Sequence, residues 1–226
     1  VYNSQNFFKA KIPMVKIDLF SDVICPWCFI GKRRLERALN LRSNPDIDIN
    51  WRAFQLNPDM PKTGMPRDHY LEAKFGGPDR AKTIYENIRK TGEMEGIEFK
   101  FEKIKKTPNT VLAHRFISWS KDQTISDLVV ESLFKAYFYE GRDIGSLEIL
   151  KEILEDLNIE TGGFVRYAKS DEGIDQVAND TRYAYSNGIT GVPCFIFDKK
   201  YSISGAQEPE AFFPLFDLNI NNSLSH

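Results

Sequence analysis

The sequence predicts an α/β protein: a small sheet assembled from both ends of the chain, interrupted by a long helical insertion. Three observations carry this reading. Residues 14–57 alternate strand, helix and strand. Helical spacing of apolar residues then dominates across 58–188. From 189 to 226 the β texture returns and closes with a helix.

The elements follow in order. Val15-Lys16-Ile17-Asp18-Leu19-Phe20 places β-branched and aromatic residues in near alternation, the signature of a strand. Ser21-Asp22 marks a turn. Cys28, Gly31, Leu35, Ala38 and Leu39 form one helical stripe, with Lys32, Arg33, Glu36 and Arg37 opposite. Asn44-Pro45-Asp46 punctuates, and Ile47 to Phe54 alternates as a second strand. A helix between them is the crossover that a parallel pair requires. The stretch "LNPDMPKTGMP" at 56–66 is rich in proline and glycine and marks a boundary. Beyond it, Thr107 is read as a helix cap with Pro108 at the first helical position. Ile125, Leu128, Val129, Leu133, Ala136 and Tyr137 keep helical spacing, as do Leu147, Leu150, Leu154 and Leu157. Asp171 to Tyr185 reads as a helix stopped by Asn187-Gly188. "VPCFIF", "DKK" and "YSISG" read as strand, turn and strand, and Glu208-Pro209-Glu210 opens a last helix.

Composition narrows the function. The chain has 226 residues, 42% hydrophobic and 27% charged, the profile of a globular protein. A formal net charge of −2 gives no electrostatic footprint for nucleic acid or an anionic membrane. No apolar run reaches the roughly 18 residues of a membrane span. Three cysteines are too few for a disulfide scaffold. "VYNSQNFFKAKIP" lacks the apolar centre of a secretory signal, and Met14 is read as a natural start with 1–13 as an extension. That points to the cytoplasm, with the periplasm as the alternative if an export signal was removed. The oligomeric state is left open.

The chemistry concentrates in Cys25-Pro26-Trp27-Cys28. The thiolate is the reactive form of cysteine. Cys25 stands at a strand–helix junction, where free backbone N–H groups and the positive helix end favour the anion. Pro26 falls where the first turn loses nothing by lacking an N–H. Cys28, three residues on, shares the face of Cys25 at a Cα separation of roughly 5–5.5 Å, within disulfide range. Because Cys28 also belongs to the apolar stripe, it is the less exposed sulfur. The roles divide accordingly: Cys25 is the nucleophile, and Cys28 resolves the mixed disulfide. Two alternatives remain. One is half of a zinc site, although Cys194, His69, His114 and His226 supply no second pair at ligand spacing. The other is a pair of inert core thiols.

On these pieces the chain resembles the DsbA-like thioredoxin-fold oxidoreductases. It is most similar to their FrnE-like branch, which is grouped with 2-hydroxychromene-2-carboxylate isomerases. The resemblance runs from Met14 to Phe216 through "SDVICPWCFIGKRRLERAL", "WRAFQLNPDMP", "NTVLAHRF", "LFKAYFYEGRDI", "NGITGVPCFIF" and "YSISGAQEPEAF". It implies a thioredoxin-like fold with a large all-helical insertion, and a cis Val192–Pro193 bond packed against the cysteine pair. Sequence by itself shows only a proline at a strand start, which an edge strand also tolerates. Pro193 then positions substrate, whose extended backbone pairs with Val192 while Pro26 and Trp27 contact it. The implied partners are protein or small-molecule thiols and disulfides. No dissociable cofactor is required, with glutathione as a candidate co-substrate. The related isomerases and kappa-class glutathione transferases carry serine where this chain has its cysteines. A glutathione-dependent isomerase or transferase acting on a small aromatic metabolite is therefore the alternative function.

Weaker signals are read conservatively. Asp22 forms the turn, with proton acceptance during exchange as the alternative. His114 is read as a satisfied structural histidine. Cys194 is a small core residue, or else a rival for the disulfide. Lys100, Lys103, Lys105 and Lys106 make a solvated face, or a patch for an anionic thiol. Phe134, Tyr137, Phe138 and Tyr139 are core, or line the groove.

Overall fold

The computed structural model describes residues 14–42, 47–122 and 124–216; Asn44-Pro45-Asp46, His226 and the extension at 1–13 lie outside them. Strand β1 spans Val15–Ser21, helix α1 Pro26–Leu41 and strand β2 Ile47–Ala53. β1 and β2 pair in parallel from Val15↔Ile47 to Ser21↔Ala53, so the β-α-β unit forms as the pattern predicts. At the other end, β5 (Cys194–Phe197) and β6 (Tyr201–Ser204) form an antiparallel hairpin, and β5 lies antiparallel against β1. Asp198 and Lys199 take positive φ of 47° and 59°, the successive left-handed residues of a tight hairpin turn. The sheet order is β2-β1-β5-β6. Glu208-Pro209-Glu210 opens a 3₁₀ turn, Pro209–Phe212, that continues helically to Phe216.

Between β2 and β5 lies the insertion: strand β3 (Met65–Pro66), α2 (Arg67–Phe75), α3 (Pro78–Met94), a 3₁₀ turn at Phe101–Lys103 and strand β4 (Lys106–Thr107). Helices α4 (Val111–Asp122), α5 (Ser126–Phe138), α6 (Leu147–Asp156), α7 (Gly162–Lys169) and α8 (Ile174–Ser186) follow. It is helical except for the ribbon of β3 and β4, whose strands of 2 residues each are too short for alternation to register. The expected cap at Thr107 with Pro108 is corrected. Thr107 pairs with Met65 in that ribbon, and its hydroxyl accepts from the Arg67 guanidinium at 3.2 Å. The helix instead starts at Val111. The Asn109 carboxamide oxygen accepts from the Val111 N–H at 3.0 Å, and the Thr110 carbonyl accepts from the His114 N–H at 2.9 Å. Leu128 is exposed although it shares the spacing of the α5 stripe; Val129, Leu133, Ala136 and Tyr137 are buried.

The core has three parts. One sheet face packs Val15, Ile17, Leu19, Phe195 and Phe197 against Leu35 and Ala38 of α1 and Phe212 and Phe216. The other face buries Phe20, Phe54 and Cys194 against Ala184 and Ile189. The largest cluster joins the start of α1, from Cys25 to Ile30, to the aromatic interior of the insertion. No helix among the described residues is long and apolar enough to cross a membrane.

Candidate active site at the start of helix α1

Cys25 is the N-cap residue of α1, with extended backbone angles, and Pro26 occupies the first turn. Its carbonyl receives the N–H groups of Cys28 at 3.0 Å and Phe29 at 3.4 Å. Its own N–H donates to the Asp22 carbonyl at 3.0 Å, which closes the turn out of β1. The sulfur does not bond the first-turn amides, contrary to expectation: the cap makes no side-chain hydrogen bond. Instead the thiol donates across the cleft to the Val192 carbonyl at 3.7 Å.

The Val192–Pro193 bond is cis, as the resemblance implies. Val192 precedes the β5 ladder, which begins at Cys194, so its main-chain groups stand beside the cysteine rather than in the sheet. Pro193 is buried, Val192 and Pro26 are half-buried, and Trp27 is 38% exposed beside the pair. The candidate site residues Cys25, Cys28, Pro193, Pro26, Trp27 and Val192 thus belong to one turn of helix and one loop facing it.

Cys28 lies behind Cys25 and is 1% exposed against 4% for Cys25, the order the stripe predicts. Burial pushes the Cys28 thiol well above the ordinary thiol range, and the neighbouring Cys25 pushes the same way. The Ser21 hydroxyl and the Asp22 backbone oppose this rise, favouring the thiolate. All three cysteines are free thiols. Cys194 points to the opposite sheet face among Phe20 and Phe54, 4.0 Å from the Ser204 hydroxyl. It therefore sits in a different cluster from the pair, the environment of a small core residue. Burial raises its thiol pKa as well.

Three features escaped the sequence reading. The first is Gly31, one turn below Cys28: a Cβ there would lie 2.7 Å from Pro193 Cγ and 3.3 Å from Phe195 Cζ. Only glycine lets α1 approach the proline loop this closely. The signal was present, since an interior helix glycine costs about 1 kcal/mol and needs a reason. The second is Arg67, 9% exposed, which donates to the Tyr85 hydroxyl at 2.8 Å and lies 5.1 Å from the Tyr70 and Tyr85 ring centres. Burial raises the Tyr85 pKa, Arg67 opposes that, and Cys25 adds to it. The third is the apposition of Asp22 and His114. The Asp22 carboxylate accepts from the Leu56 N–H at 2.8 Å, and its other oxygen stands 3.4 Å from His114 Nε2. His114 is not the satisfied histidine expected, because Nε2 is buried without a closed hydrogen bond.

The remaining weak signals resolve simply. Phe134, Tyr137 and Phe138 are fully buried core, and Tyr139 packs against it. Lys106 pairs with Asp143 at 2.6 Å, Lys100 with Glu98 at 3.6 Å, and Lys105 donates to the Glu102 carbonyl at 3.0 Å. Among the described residues no group of three or more histidine, cysteine or acidic side chains gathers as a metal site.

A strand leading to a cysteine pair at a helix start, faced by a cis-proline loop, defines a thioredoxin-fold protein. The chain belongs to the DSBA-like thioredoxin domain family, whose model matches residues 16–214. It is 26% identical over 200 residues to the uncharacterized protein YwbO of Bacillus subtilis, covering 88% of this chain and 94% of that one. Among solved structures it is similar to a probable DsbA oxidoreductase from Streptomyces coelicolor, with TM-score 0.82 and 25% identity over 92% of this chain and 90% of the other. It also shares the fold of a 2-hydroxychromene-2-carboxylate isomerase, with TM-score 0.66 and 16% identity over 93% and 100% of the two chains. These are the two groups to which the sequence motifs pointed.

Proposed function

We propose that this protein is a thiol–disulfide oxidoreductase working through Cys25 and Cys28. One observation carries the reading: the Cys25 thiol, at a helix start, is directed at the free carbonyl of Val192, with Cys28 buried directly behind it. A substrate strand laid along Val192 would bring its sulfur to Cys25. The Cys25 thiolate attacks a substrate disulfide, one substrate sulfur leaves as a thiolate, and a mixed disulfide forms. Cys28, as thiolate, then attacks Cys25 Sγ. The second substrate sulfur leaves, and a Cys25–Cys28 disulfide remains, two electrons having passed to the substrate. The reverse sequence oxidises a substrate dithiol. Cys25→Ser is expected to abolish insulin reduction, and Cys28→Ser to accumulate the mixed disulfide seen by mass spectrometry. Unchanged activity in Cys25→Ser would refute the reading.

A second reading, glutathione-dependent isomerisation of a small aromatic metabolite, has one observation in its favour. Arg67 is buried against the Tyr70 and Tyr85 rings and has no ion-pair partner among the described residues. A buried guanidinium of this kind suits a carboxylate, and glutathione offers two. The same Arg67 supports glutathione as co-substrate of the cysteine pair. Turnover of a hydroxychromene acid that needs glutathione and survives Cys25→Ser would favour isomerisation.

A further inference from the structure

The sheet has two faces, and they are covered unequally. Helix α1 and the closing turn at Pro209–Phe212 pack on the first. On the second, Ala184 of α8 and Ile189 reach Phe20 and Cys194. Beyond them the β5–β6 half is open: Ser202 and Ser204 are exposed and Ile196 is half-buried. These side chains share one face, because Cys194 pairs with Ser204 and Ile196 with Ser202. They floor a trough of about 690 Å³.

One end of the trough is the cysteine site. Thr190, Gly191 and Val192 are part of its wall, and the Val192 carbonyl is the group that faces the Cys25 thiol at 3.7 Å. The main-chain N–H groups of these three residues make no backbone hydrogen bond among the described residues, so an entering chain can pair with them.

The other end is positively charged. Lys199 and Lys200, at the tip of the β5–β6 hairpin, line the trough, and neither has an acidic partner among the described residues. The other charges in the wall are matched: Arg52 pairs with Asp180 at 2.7 Å and stands 3.7 Å from Asp18. Asp198, beside the lysines, accepts from the Lys16 N–H at 3.2 Å. Tyr183 of α8 and Tyr201 of β6 complete the walls, each 47% exposed. Rings with an apolar body and a wet polar tip suit contact with a polypeptide.

Length decides which substrates can use both ends. From Val192 to the hairpin tip is about 17 Å, five steps of strand at about 3.4 Å each. An extended polypeptide covers that span in about five residues. Glutathione, with one residue on either side of its cysteine, cannot reach the lysines.

We propose that the trough seats the polypeptide flanking a substrate cysteine, and that Lys199 and Lys200 select an acidic side chain about five residues from that cysteine. The inference rests on the oxidoreductase reading and narrows its protein substrates to segments of that charge. The lysines act on encounter and seating, while the chemistry stays at sulfur. Lysines at a sheet edge also guard against edge-to-edge association, and that role alone leaves exchange rates untouched.

The test uses short peptides whose single cysteine is capped as a mixed disulfide with thionitrobenzoate. The Cys25 thiolate bonds the peptide sulfur, and thionitrobenzoate leaves with the electron pair and gives the signal. Two peptides carry a glutamate pair five and six residues from the cysteine, one on each side of it, and their twins carry lysine there. Each rate is divided by that of the same peptide with dithiothreitol. At about 0.15 M salt, where the Debye length is about 8 Å, one glutamate peptide is expected to react at least about threefold faster than its twin. The gap should close at about 1 M salt. In Lys199→Glu/Lys200→Glu the order should reverse, while the rate with glutathione disulfide stays at the wild-type value. Both side chains are exposed, and Lys200→Gln repeats the test with a milder change, shrinking the preference without reversing it. Equal rates for the glutamate peptides and their twins overturn the inference, as does a preference that charge reversal leaves unchanged or a matching change in the glutathione reaction. Release from Cys25→Ser as fast as from the wild type would sink the oxidoreductase reading itself, a separate failure.

Discussion

Helix α1 is gripped on two sides, and the two grips are built from opposite materials. Toward the sheet it offers Gly31, Leu35 and Ala38, and the closest approach depends on a side chain that is missing. Toward the insertion it offers Phe29 and Arg33, and the hold depends on large groups. The Phe29 ring stacks on Phe134 at 4.8 Å and meets Phe99 edge-on at 6.2 Å. Arg33 lies 4.8 Å over the Phe29 ring and forks onto Glu131 of α5, one contact at 2.9 Å. The cysteine-bearing turn is therefore fixed by a steric limit from one direction and by dispersion and charge from the other. The first grip fails on growth, the second on truncation.

The largest test of this contrast is Phe29→Ala. The ring is fully buried and contacts four aromatic neighbours, so its removal should cost about 3–5 kcal/mol, read as a shift of the urea midpoint. A loss under about 1 kcal/mol would mean that the insertion does not hold the helix. Gly31→Ala comes next. Its methyl would press on Pro193 and Phe195 rather than leave a void, at a cost of about 1–3 kcal/mol. Because the strain falls on the loop that faces Cys25, thiol exchange at matched folded fraction should fall more in Gly31→Ala than in Phe29→Ala. Equal exchange rates would erase the distinction between the two faces.

The two grips were also unequally legible. Strand β1, helix α1, strand β2 and the closing hairpin follow from local alternation and punctuation, because each buries a face that its own residues write out. The cysteine pair was readable from its spacing within one turn, whereas the cis Val192–Pro193 bond came from the family resemblance, since the residues alone show only a proline at a strand start. The Thr107 cap failed because a hydroxyl near a proline satisfies the cap rule locally, while Arg67, 40 residues earlier, claims that hydroxyl in the fold. Asp22 and His114 lie 92 positions apart, and no periodicity says that they meet. The cysteine pair is local in sequence; the Asp22–His114 apposition exists only after α4 packs against the sheet.

The smallest expected effect probes the charged half of the insertion grip. Burial alone would raise the Glu131 carboxyl, but Arg33 and Lys32 more than reverse this and hold it at about 2, against an ordinary 4.5. A carboxyl whose pKa is lowered by folding binds protons more readily in the unfolded chain. Its contribution is therefore complete above about 4.5 and is lost as pH falls toward about 2. Glu131 is partly solvated, so screening reduces the effect to the order of 1 kcal/mol. Urea midpoints measured across that interval should fall less steeply for Glu131→Gln than for the wild type, with the two proteins converging at the acid end. Parallel slopes would leave Arg33 without an electrostatic role and assign the whole of that face to the Phe29 stack.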